Sequence, residues 1–261
     1  MGKRFSTNSI LKAKAALVLV ACLAFAGCTK APPGQSQDVA FDPYERQNRK
    51  THAFNVALDR NLYRPVGTSY SDFVPDEFED MISRFAENLS VPSAVVNSVL
   101  QGNIRGAAND TLRFVVNSTA GFFGFFDAAT EMNIPAGTQA DFGQTLHVWG
   151  VREGAYIELP VLGPSSERRT VGIVVDLFTN PLTYILDFPE NVYGTAASVS
   201  SSLSNRGRFS DTIDSILYES ADSYAQARSL YIQNRRFKLG NGSGGEFDDP
   251  YDALINPIGE E

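Results

Sequence analysis

Residues 75–119, PDEFEDMISRFAENLSVPSAVVNSVLQGNIRGAANDTLRFVVNST, decide the fold class of this 261-residue chain. Their apolar residues recur at spacings of three and four, which is typical of amphipathic helices. Pro75 suits the start of a first helix, because Asp76 and Glu77 follow in the turn where the helix dipole favours acids. The predicted apolar face of that helix consists of Phe78, Met81, Ile82, Phe85 and Leu89.

The same stretch predicts two further helices, divided by Gly102. The first is expected to begin at Pro92 and to carry Val95, Val96, Val99 and Leu100. Asn103 can cap the second, because its side-chain oxygen can accept a backbone N–H of the first turn. We expect the inward face of this helix to contain Ile104, Ala107, Ala108, Thr111, Leu112 and Val115, and the outward face to contain Arg105, Asn109 and Arg113.

Helical patterns continue on both sides of this stretch. Residues 42–62 predict a helix that ends before Pro65. Near the C-terminus, Ser210 can cap a helix that has a break near Ser220 and is followed by Gly240.

The region between these helices contains the only clearly extended segment, residues 155–162, which the Gly-Pro turn at residues 163–164 is expected to end. A helix-like stretch at residues 142–149 precedes it, and Ser165 or Ser166 can cap the helix that follows. The predicted fold class is therefore mainly α, a single helical domain with a short β segment.

The first 27 residues have the pattern of a bacterial lipoprotein signal peptide. Four basic residues precede an apolar run at residues 15–26, which is too short to span a bilayer as a helix. The run ends in FAGC, and Cys28 resembles the lipobox cysteine that becomes the acylated N-terminus. An ordinary signal peptide with a chance cysteine after it is the alternative. By resemblance to the enterobacterial sorting rule, Thr29 favours delivery to the outer membrane.

The rest of the chain divides into three parts by composition. Residues 28–40 are rich in Pro, Gly, Gln and Ser and predict a flexible tether after the lipidated cysteine. Residues 41–240 form the body, and residues 241–261 predict a disordered tail that is first Gly-rich and then acidic. Removal of residues 1–27 takes away four bases and no acid, so the net charge changes from −8 to −12.

Composition and missing motifs exclude several functions. A net charge of −8 and a pI of about 4.9 are opposite to what a nucleic-acid backbone attracts, so we expect no nucleic-acid partner. Two Cys and two His are too few for most Cys/His metal sites, and we expect neither a metal nor a cofactor. After the predicted signal peptide, the sequence contains no GxSxG, HExxH, P-loop or SxxK motif.

His52 and His147 are the two candidates for the base of a hydrolase that would recruit a serine and an acid from elsewhere in the chain. A surface or packing role is the simpler interpretation of both histidines. The neighbouring carboxylates Glu79 and Asp80 are interpreted as solvated charges on a helix exterior. No residue is predicted to be catalytic.

The segment FVVNSTAGFFGFF at residues 114–126 does not suit a plain core helix. Two glycines interrupt it, and each costs about 1 kcal/mol relative to alanine inside a helix. One interpretation is a buried turn between core helices. The other is a mobile apolar segment that contacts lipid, formed by Gly121, Phe122, Phe123, Gly124, Phe125 and Phe126.

Many colinear stretches of the chain resemble the VacJ/MlaA family of outer-membrane lipoproteins, over nearly all of residues 42–240. A family resemblance of this kind is more specific than any single short motif. The stretches are DPYERQNRKTHAFNVALDRNLYRPV (42–66), YSDFVPDEFEDMISRFAENLSVPSAVVNSVLQG (70–102), DTLRFVVNSTAGFFGFFD (110–127), DFGQTLHVWGVREGAYIELPVLGPSSERR (141–169) and YAQARSLYIQNRRF (224–237).

The resemblance implies a ring-like helical body in the inner leaflet of the outer membrane, anchored on its periplasmic face. It implies a channel that removes mislocalised phospholipid from the outer leaflet and passes it to a periplasmic lipid-carrier protein. It also implies association with a trimeric porin and a flexible hairpin at about residues 121–135. The alternatives are a lipid-anchored scaffold that associates with porins without transport, and a periplasmic hydrolase.

Overall fold

A computed structural model describes residues 41–182 and 190–242. The predicted signal peptide, Cys28, the tether up to residue 40 and the tail from residue 243 onward lie outside the described residues. The elements in chain order are α1 (Glu45–Leu58), α2 (Arg64–Phe73), α3 (Asp76–Leu100), α4 (Ile104–Thr119), α5 (Ala128–Glu131), α6 (Phe142–Val148), β1 (Tyr156–Leu159), β2 (Gly163–Ser166), α7 (Glu167–Thr179), α8 (Glu190–Arg208), α9 (Ser210–Asp214) and α10 (Ser223–Gly242).

The predicted end of the first helix before Pro65 is wrong. A π-helical turn, Asp59–Tyr63, connects α1 to α2 without leaving helical geometry. Pro65 lies in the first turn of α2. A proline is tolerated there, because its missing N–H is not needed for an α-helical hydrogen bond in the first turn.

The predicted helix start at Pro92 is also wrong, because α3 runs through this proline without interruption. Its predicted start is confirmed, with Pro75 directly before Asp76. A proline inside a helix displaces carbonyls in the preceding turn. The side chain of Asn180 donates to the Leu89 carbonyl in that turn at 3.0 Å, which compensates for the weakened backbone pairing.

The predicted inward and outward faces of α4 are only partly correct, because Ala107 is buried and Arg105 exposed as expected but other positions are exchanged. Asp110 is buried and the side chain of Arg113 is only 14% exposed, whereas Ile104, Leu112 and Val115 are at least half exposed. On α3 the buried residues include the polar Glu79, Asn88, Asn97 and Ser98. Of its predicted apolar face, Phe78 is exposed, whereas Met81, Ile82, Phe85 and Leu89 are half-buried. The helical period was predicted correctly, but several polar side chains point inward and several apolar side chains point outward.

The β segment is a two-stranded antiparallel hairpin in which Tyr156 pairs with Ser166. Its turn lies at residues 160–162, so the Gly-Pro pair expected to end the extended segment lies instead within β2. Ser166 caps α7 by accepting the backbone N–H of Arg169 at 3.2 Å, as one of the two predicted caps. The described part of the chain is thus mainly α with one short β hairpin, which confirms the predicted fold class.

The C-terminal helices confirm a break near Ser220, which separates the π-helical turn Ser215–Glu219 from α10. Ser210 is the first residue of α9 and provides no side-chain cap. Helix α10 continues past Gly240 to Gly242, two residues into the predicted tail.

Small residues allow the helices to pack closely. A Cβ on Gly67 of α2 would lie 2.9 Å from the Leu203 carbonyl, and one on Gly207 would lie 2.4 Å from the Gly67 carbonyl. Glycine at such positions lets two helix backbones approach, as in helix packing within membranes. In this way α2 packs against α8, which also packs against α3, and α3 packs against α4.

Candidate functional site

The helices enclose a polar cavity of about 1320 Å³. Its walls are formed by residues of α3, α4, α6, α7, α8 and α10, and by the loop after α5. Of the inward polar residues of α3 and α4, Asn88, Asp110 and Arg113 line this cavity, whereas Glu79, Asn97 and Ser98 do not.

Charges of both signs line the cavity in equal number. The basic residues in the wall are Arg84, Arg113, Arg169, Arg235 and Lys238, and the acidic residues are Glu87, Asp110, Asp127, Asp141 and Asp176. Several of these charged side chains form ion pairs between different helices. Since the two signs are equal in number, the wall carries many charges without a large excess of either sign.

Asp141 connects three elements of the wall. It accepts hydrogen bonds from both terminal nitrogens of Arg235 on α10, at 2.6 and 2.8 Å, and lies 3.3 Å from Arg169 of α7. It also caps α6 through a capping box with Gln144. Burial works to raise the pKa of Asp141, but Arg235 and Arg169 outweigh it and hold that pKa below its ordinary value.

Asp176 lies next to this group and has the opposite pKa shift. Burial raises the pKa of this carboxyl, although it accepts hydrogen bonds from Asn97 at 3.1 Å and from the Phe142 N–H at 3.2 Å. Arg169 is 3.4 Å from Asp176. Asp176 therefore connects α7 to α3 and α6 on the cavity side.

Sequence reasoning missed this network, because Asp141, Asp176 and Arg235 are far apart in the chain. The only local signal is Asp141 itself, which is followed three residues later by Gln144 at the start of a helix. That signature predicts a cap but not the guanidinium groups that share its carboxylate.

The Phe-rich segment forms a tight turn between α4 and α5, beside the cavity. Phe122, Phe123 and Phe126 are more than half exposed. Phe125 is half-buried and stacks on Phe85 of α3 with ring centroids 4.8 Å apart. Gly121 and Gly124 are buried. The turn thus combines the buried backbone expected of a turn between core helices with the exposed aromatic surface expected of a segment that contacts lipid.

Polar residues of the cavity wall hold the inner side of this turn. Asn88 donates to the Ser118 hydroxyl at 3.0 Å and to the Phe123 carbonyl at 3.4 Å. Arg113 donates to both oxygens of Asp127, at 2.9 and 3.0 Å, just after the aromatic residues. Contact of the outer side with lipid is not tested by this geometry and stays a prediction.

The two histidines have different surroundings. His52 is buried, with Nδ1 3.3 Å from Glu158 Oε1 and Nε2 3.1 Å from Ser223 Oγ. His147 is exposed, and its Nδ1 lies 3.3 Å from a terminal nitrogen of Arg168. Burial lowers the pKa of His147, and the neighbouring Arg168 lowers it further.

The interpretation of Glu79 as a solvated exterior charge is wrong, because Glu79 is only 1% exposed. It accepts hydrogen bonds from the Ser204 hydroxyl at 2.6 Å and from Arg208 at 2.7 Å, both on α8. Asp80 is partly exposed and accepts from the same Arg208 at 2.6 Å. Arg208 thus holds the two carboxylates of α3 against α8.

The exterior of the described residues is unusually rich in apolar side chains. Phe73 is 87% exposed, and Ile104 and Leu162 are each more than 60% exposed. Of the described helices, none has the length and apolar content to cross a membrane. Within residues 41–182 and 190–242, no group of three or more His, Cys, Asp and Glu side chains could hold a metal ion.

Fold and site together define a class: mainly α-helical proteins in which polar side chains enclose a cavity and apolar side chains face outward. The model of the MlaA lipoprotein family matches residues 40–238. The chain belongs to this family.

Several known proteins are similar to this chain. The intermembrane phospholipid transport system lipoprotein MlaA of Escherichia coli (strain K12) is 32% identical over 219 residues, covering 83% of this chain and 84% of that protein. The protein of the same name from Haemophilus influenzae is 28% identical over 240 residues, covering 90% and 92%. An uncharacterized protein of Rickettsia felis is 32% identical over 196 residues, covering 75% and 76%.

A solved structure described as the structural basis for maintenance of bacterial outer membrane lipid asymmetry is also similar. It superposes with a TM-score of 0.65 at 30% identity and covers 76% of this chain and 98% of that chain. The likeness therefore extends over nearly the whole of the solved chain.

Proposed function

We propose that this protein is a component of retrograde phospholipid transport, which removes mislocalised phospholipid from the outer leaflet and so maintains lipid asymmetry of the outer membrane. The observation that carries the proposal is the polar cavity of about 1320 Å³ inside a body with an apolar exterior. The names of the Escherichia coli and Haemophilus influenzae relatives support it.

The cavity suits the head group of a phospholipid. Moving a charged head group through hydrocarbon carries a large desolvation penalty, and a wall of charged and amide side chains lowers it. The acyl chains can stay in the lipid that surrounds the exposed apolar residues. Transport of this kind needs no bond chemistry, which agrees with the absence of catalytic motifs from the sequence.

Acylation of Cys28 would hold the protein at the periplasmic face of the outer membrane. Each buried CH₂ of an acyl chain contributes about 0.8 kcal/mol, so two or more chains give durable anchoring. Radioactive palmitate should label the wild-type protein and not Cys28→Ser. Equal labelling of both forms would refute lipidation at this residue.

Two macromolecular partners belong to the proposal: a trimeric porin beside the body and a periplasmic lipid-carrier protein that receives the lipid. The family resemblance supports both. Co-purification from membranes after crosslinking should recover a porin trimer with the wild-type protein, and its absence would remove the porin from the proposal.

Deleting the gene and measuring surface-exposed phospholipid tests transport directly. We expect the outer-leaflet phospholipid to rise in the deletion strain and to return to normal with the wild-type gene. The scaffold alternative predicts altered porin levels with normal outer-leaflet phospholipid. Unchanged phospholipid in the deletion strain would exclude the transport function.

A further inference from the structure

Ser223, His52 and Glu158 form a continuous hydrogen-bonded chain away from the polar cavity. Ser223 Oγ lies 3.1 Å from His52 Nε2, and His52 Nδ1 lies 3.3 Å from Glu158 Oε1. The three residues come from α10, α1 and β1, so tertiary packing alone brings them together. A hydroxyl, an imidazole and a carboxylate in this order are the groups of a nucleophile, a general base and its orienting acid.

The acid is held in the position that this role requires. Glu158 is 4% exposed, and its Oε2 accepts a hydrogen bond from the Tyr156 hydroxyl. Asn55 donates to Oε1 at 3.2 Å. With Oε1 as the acceptor for Nδ1–H of His52, the lone pair of Nε2 points to Ser223 Oγ.

The serine lies at the wall of a second, smaller cavity of about 550 Å³. His52, Ser223 and Tyr224 are among its lining residues. This cavity shares no lining residue with the polar cavity of about 1320 Å³. A substrate could therefore reach the serine independently of the transport path.

We propose that Ser223, His52 and Glu158 are a catalytic triad that hydrolyses carboxylic esters in this second cavity. Ser223 Oγ attacks the ester carbonyl carbon while its proton passes to His52 Nε2. The ester C–O bond then breaks, and His52 returns the proton to the departing alkoxide, which leaves as an alcohol. Water, deprotonated by His52, hydrolyses the acyl-serine to a carboxylic acid and restores the serine.

The position of Ser223 at the start of α10 supports this reaction. The first N–H groups of a helix have no partner within the helix, so those of Ser223 and Tyr224 are placed near the nucleophile. An N–H group on the nucleophile itself is one of the donors that stabilises the oxyanion in serine hydrolases.

The lining indicates the class of ester. Ala53, Val56 and Ala57 give one wall an apolar surface that suits an acyl chain. Arg60 lines the same cavity, stands 4.9 Å above the Tyr218 ring and makes no ion pair with a described residue. An ester with one acyl chain and an anionic group, as in a monoacyl phospholipid, fits this combination.

A fluorophosphonate probe and p-nitrophenyl butyrate test the triad in the full chain purified in detergent. We expect labelling and turnover by the wild-type protein. Ser223→Ala should abolish labelling, and His52→Gln should lower kcat/KM by about 100-fold or more, since a positioned base contributes roughly 10²–10⁴-fold. The control Ser229→Ala changes an exposed serine of the same helix and should behave as wild type.

Thermal melting of each variant separates loss of activity from loss of the fold. A folded wild-type protein that is inert above its heat-denatured background would overturn the triad, as would a Ser223→Ala variant with wild-type turnover. For the substrate class, Arg60→Ala should raise KM for 1-palmitoyl-glycerophosphoglycerol but not for p-nitrophenyl butyrate. Equal effects on both esters would reject the anionic substrate. The transport assay is unaffected by either outcome.

Discussion

At the scale of single residues, Asp141 shows how the interior of this protein is stabilised. Its carboxylate is shared by Arg235 and Arg169, which lie on different helices. Breaking a buried ion pair by removing one partner leaves a charge without compensation, which typically costs 3–5 kcal/mol. Polar contacts of this kind replace much of the apolar core of an ordinary domain.

Asp141→Asn should therefore lower the free energy of unfolding by about 3 kcal/mol at pH 7, measured by denaturation in detergent micelles. Because the folded-state pKa is lowered, the stabilisation is present above the unfolded pKa and is lost as pH falls through the folded value. The difference between variant and wild type should shrink below about pH 4.

The matched control is Glu87→Gln, which changes an exposed carboxyl in the same cavity wall. It should alter stability by less than about 0.5 kcal/mol. A pH-independent difference for Asp141→Asn would contradict the ion-pair explanation.

Gly124 in the Phe-rich turn illustrates a steric requirement. Its φ is +95°, and an added Cβ would lie 2.5 Å from the Cβ of Asn88. Gly102 also has a positive φ, +74°, but an added Cβ there meets nothing within 4 Å. Both alanine variants carry the backbone strain of roughly 1 kcal/mol. Because only Gly124→Ala adds a close contact with Asn88, its melting temperature should fall substantially further than that of Gly102→Ala. Equal falls in melting temperature would show that the contact with Asn88 does not require glycine at position 124.

At the scale of secondary-structure elements, local chemistry predicted where several helices begin. Pro75, Asn103 and Ser166 stand at the starts of α3, α4 and α7 as expected, because capping and proline geometry act within one turn. Periodicity also identified the two faces of α4. It could not say which face points inward, because that depends on whether water or lipid surrounds the helix.

Pro92 shows a second limit of local prediction. The sequence around it favours a helix start, yet α3 continues through it, and Asn180, 88 residues later, donates to the Leu89 carbonyl in the preceding turn. A tertiary contact of this kind leaves no local trace. The Arg235–Asp141 pair is equally long-range, so the charged wall of the cavity was beyond reach of sequence patterns.

Contact of the Phe-rich turn with lipid can be tested at Phe123. Phe123 is 63% exposed, and Phe123→Asp should leave the melting temperature unchanged. If the turn enters lipid, this change should weaken liposome binding of the unlipidated Cys28→Ser form about tenfold, since burying one Phe contributes roughly 1.5–3 kcal/mol.

The control Phe123→Leu keeps an apolar side chain and should bind nearly as well as the parent. Flotation with liposomes measures the bound fraction of each form. Unchanged binding of a folded Phe123→Asp variant would show that the turn does not contact lipid.

At the scale of the whole molecule, the described residues bury many polar side chains and expose many large apolar ones. Buried residues include Asn97, Asp110, Arg168 and Arg206, whereas Phe73 is almost fully exposed. An overall content of 43% hydrophobic residues is ordinary and hides this arrangement. Composition alone therefore predicted a core-forming chain; the signal-peptide pattern ending at Cys28 pointed to a membrane, and only the family resemblance pointed to a channel.

A small apolar cluster of described residues lies behind one part of the cavity wall, since Tyr231 packs against the cluster and lines the cavity. Tyr156, Tyr224 and Ile232 join the β hairpin to α10. Helix α10 thus packs against the hairpin and also supplies Arg235 to the cavity wall. One helix combines structural support with a contribution to the proposed passage.

We expect water and lipid head groups to occupy the interior of this protein while lipid surrounds its exterior. Ser198 and Val199 are neighbours on α8: Ser198 lines the cavity, and Val199 is an exposed apolar residue, 49% exposed. The described residues contain no cysteine, so single cysteines at these two positions report on their surroundings without interference.

The decisive measurement is the labelling rate of Ser198→Cys and Val199→Cys by a membrane-impermeant maleimide, with the protein reconstituted in liposomes. We predict labelling of Ser198→Cys at least about tenfold faster, because burial in lipid both excludes the reagent and disfavours the reactive thiolate. Equal labelling rates, or faster labelling of Val199→Cys, would contradict a water-filled interior and a lipid-facing exterior.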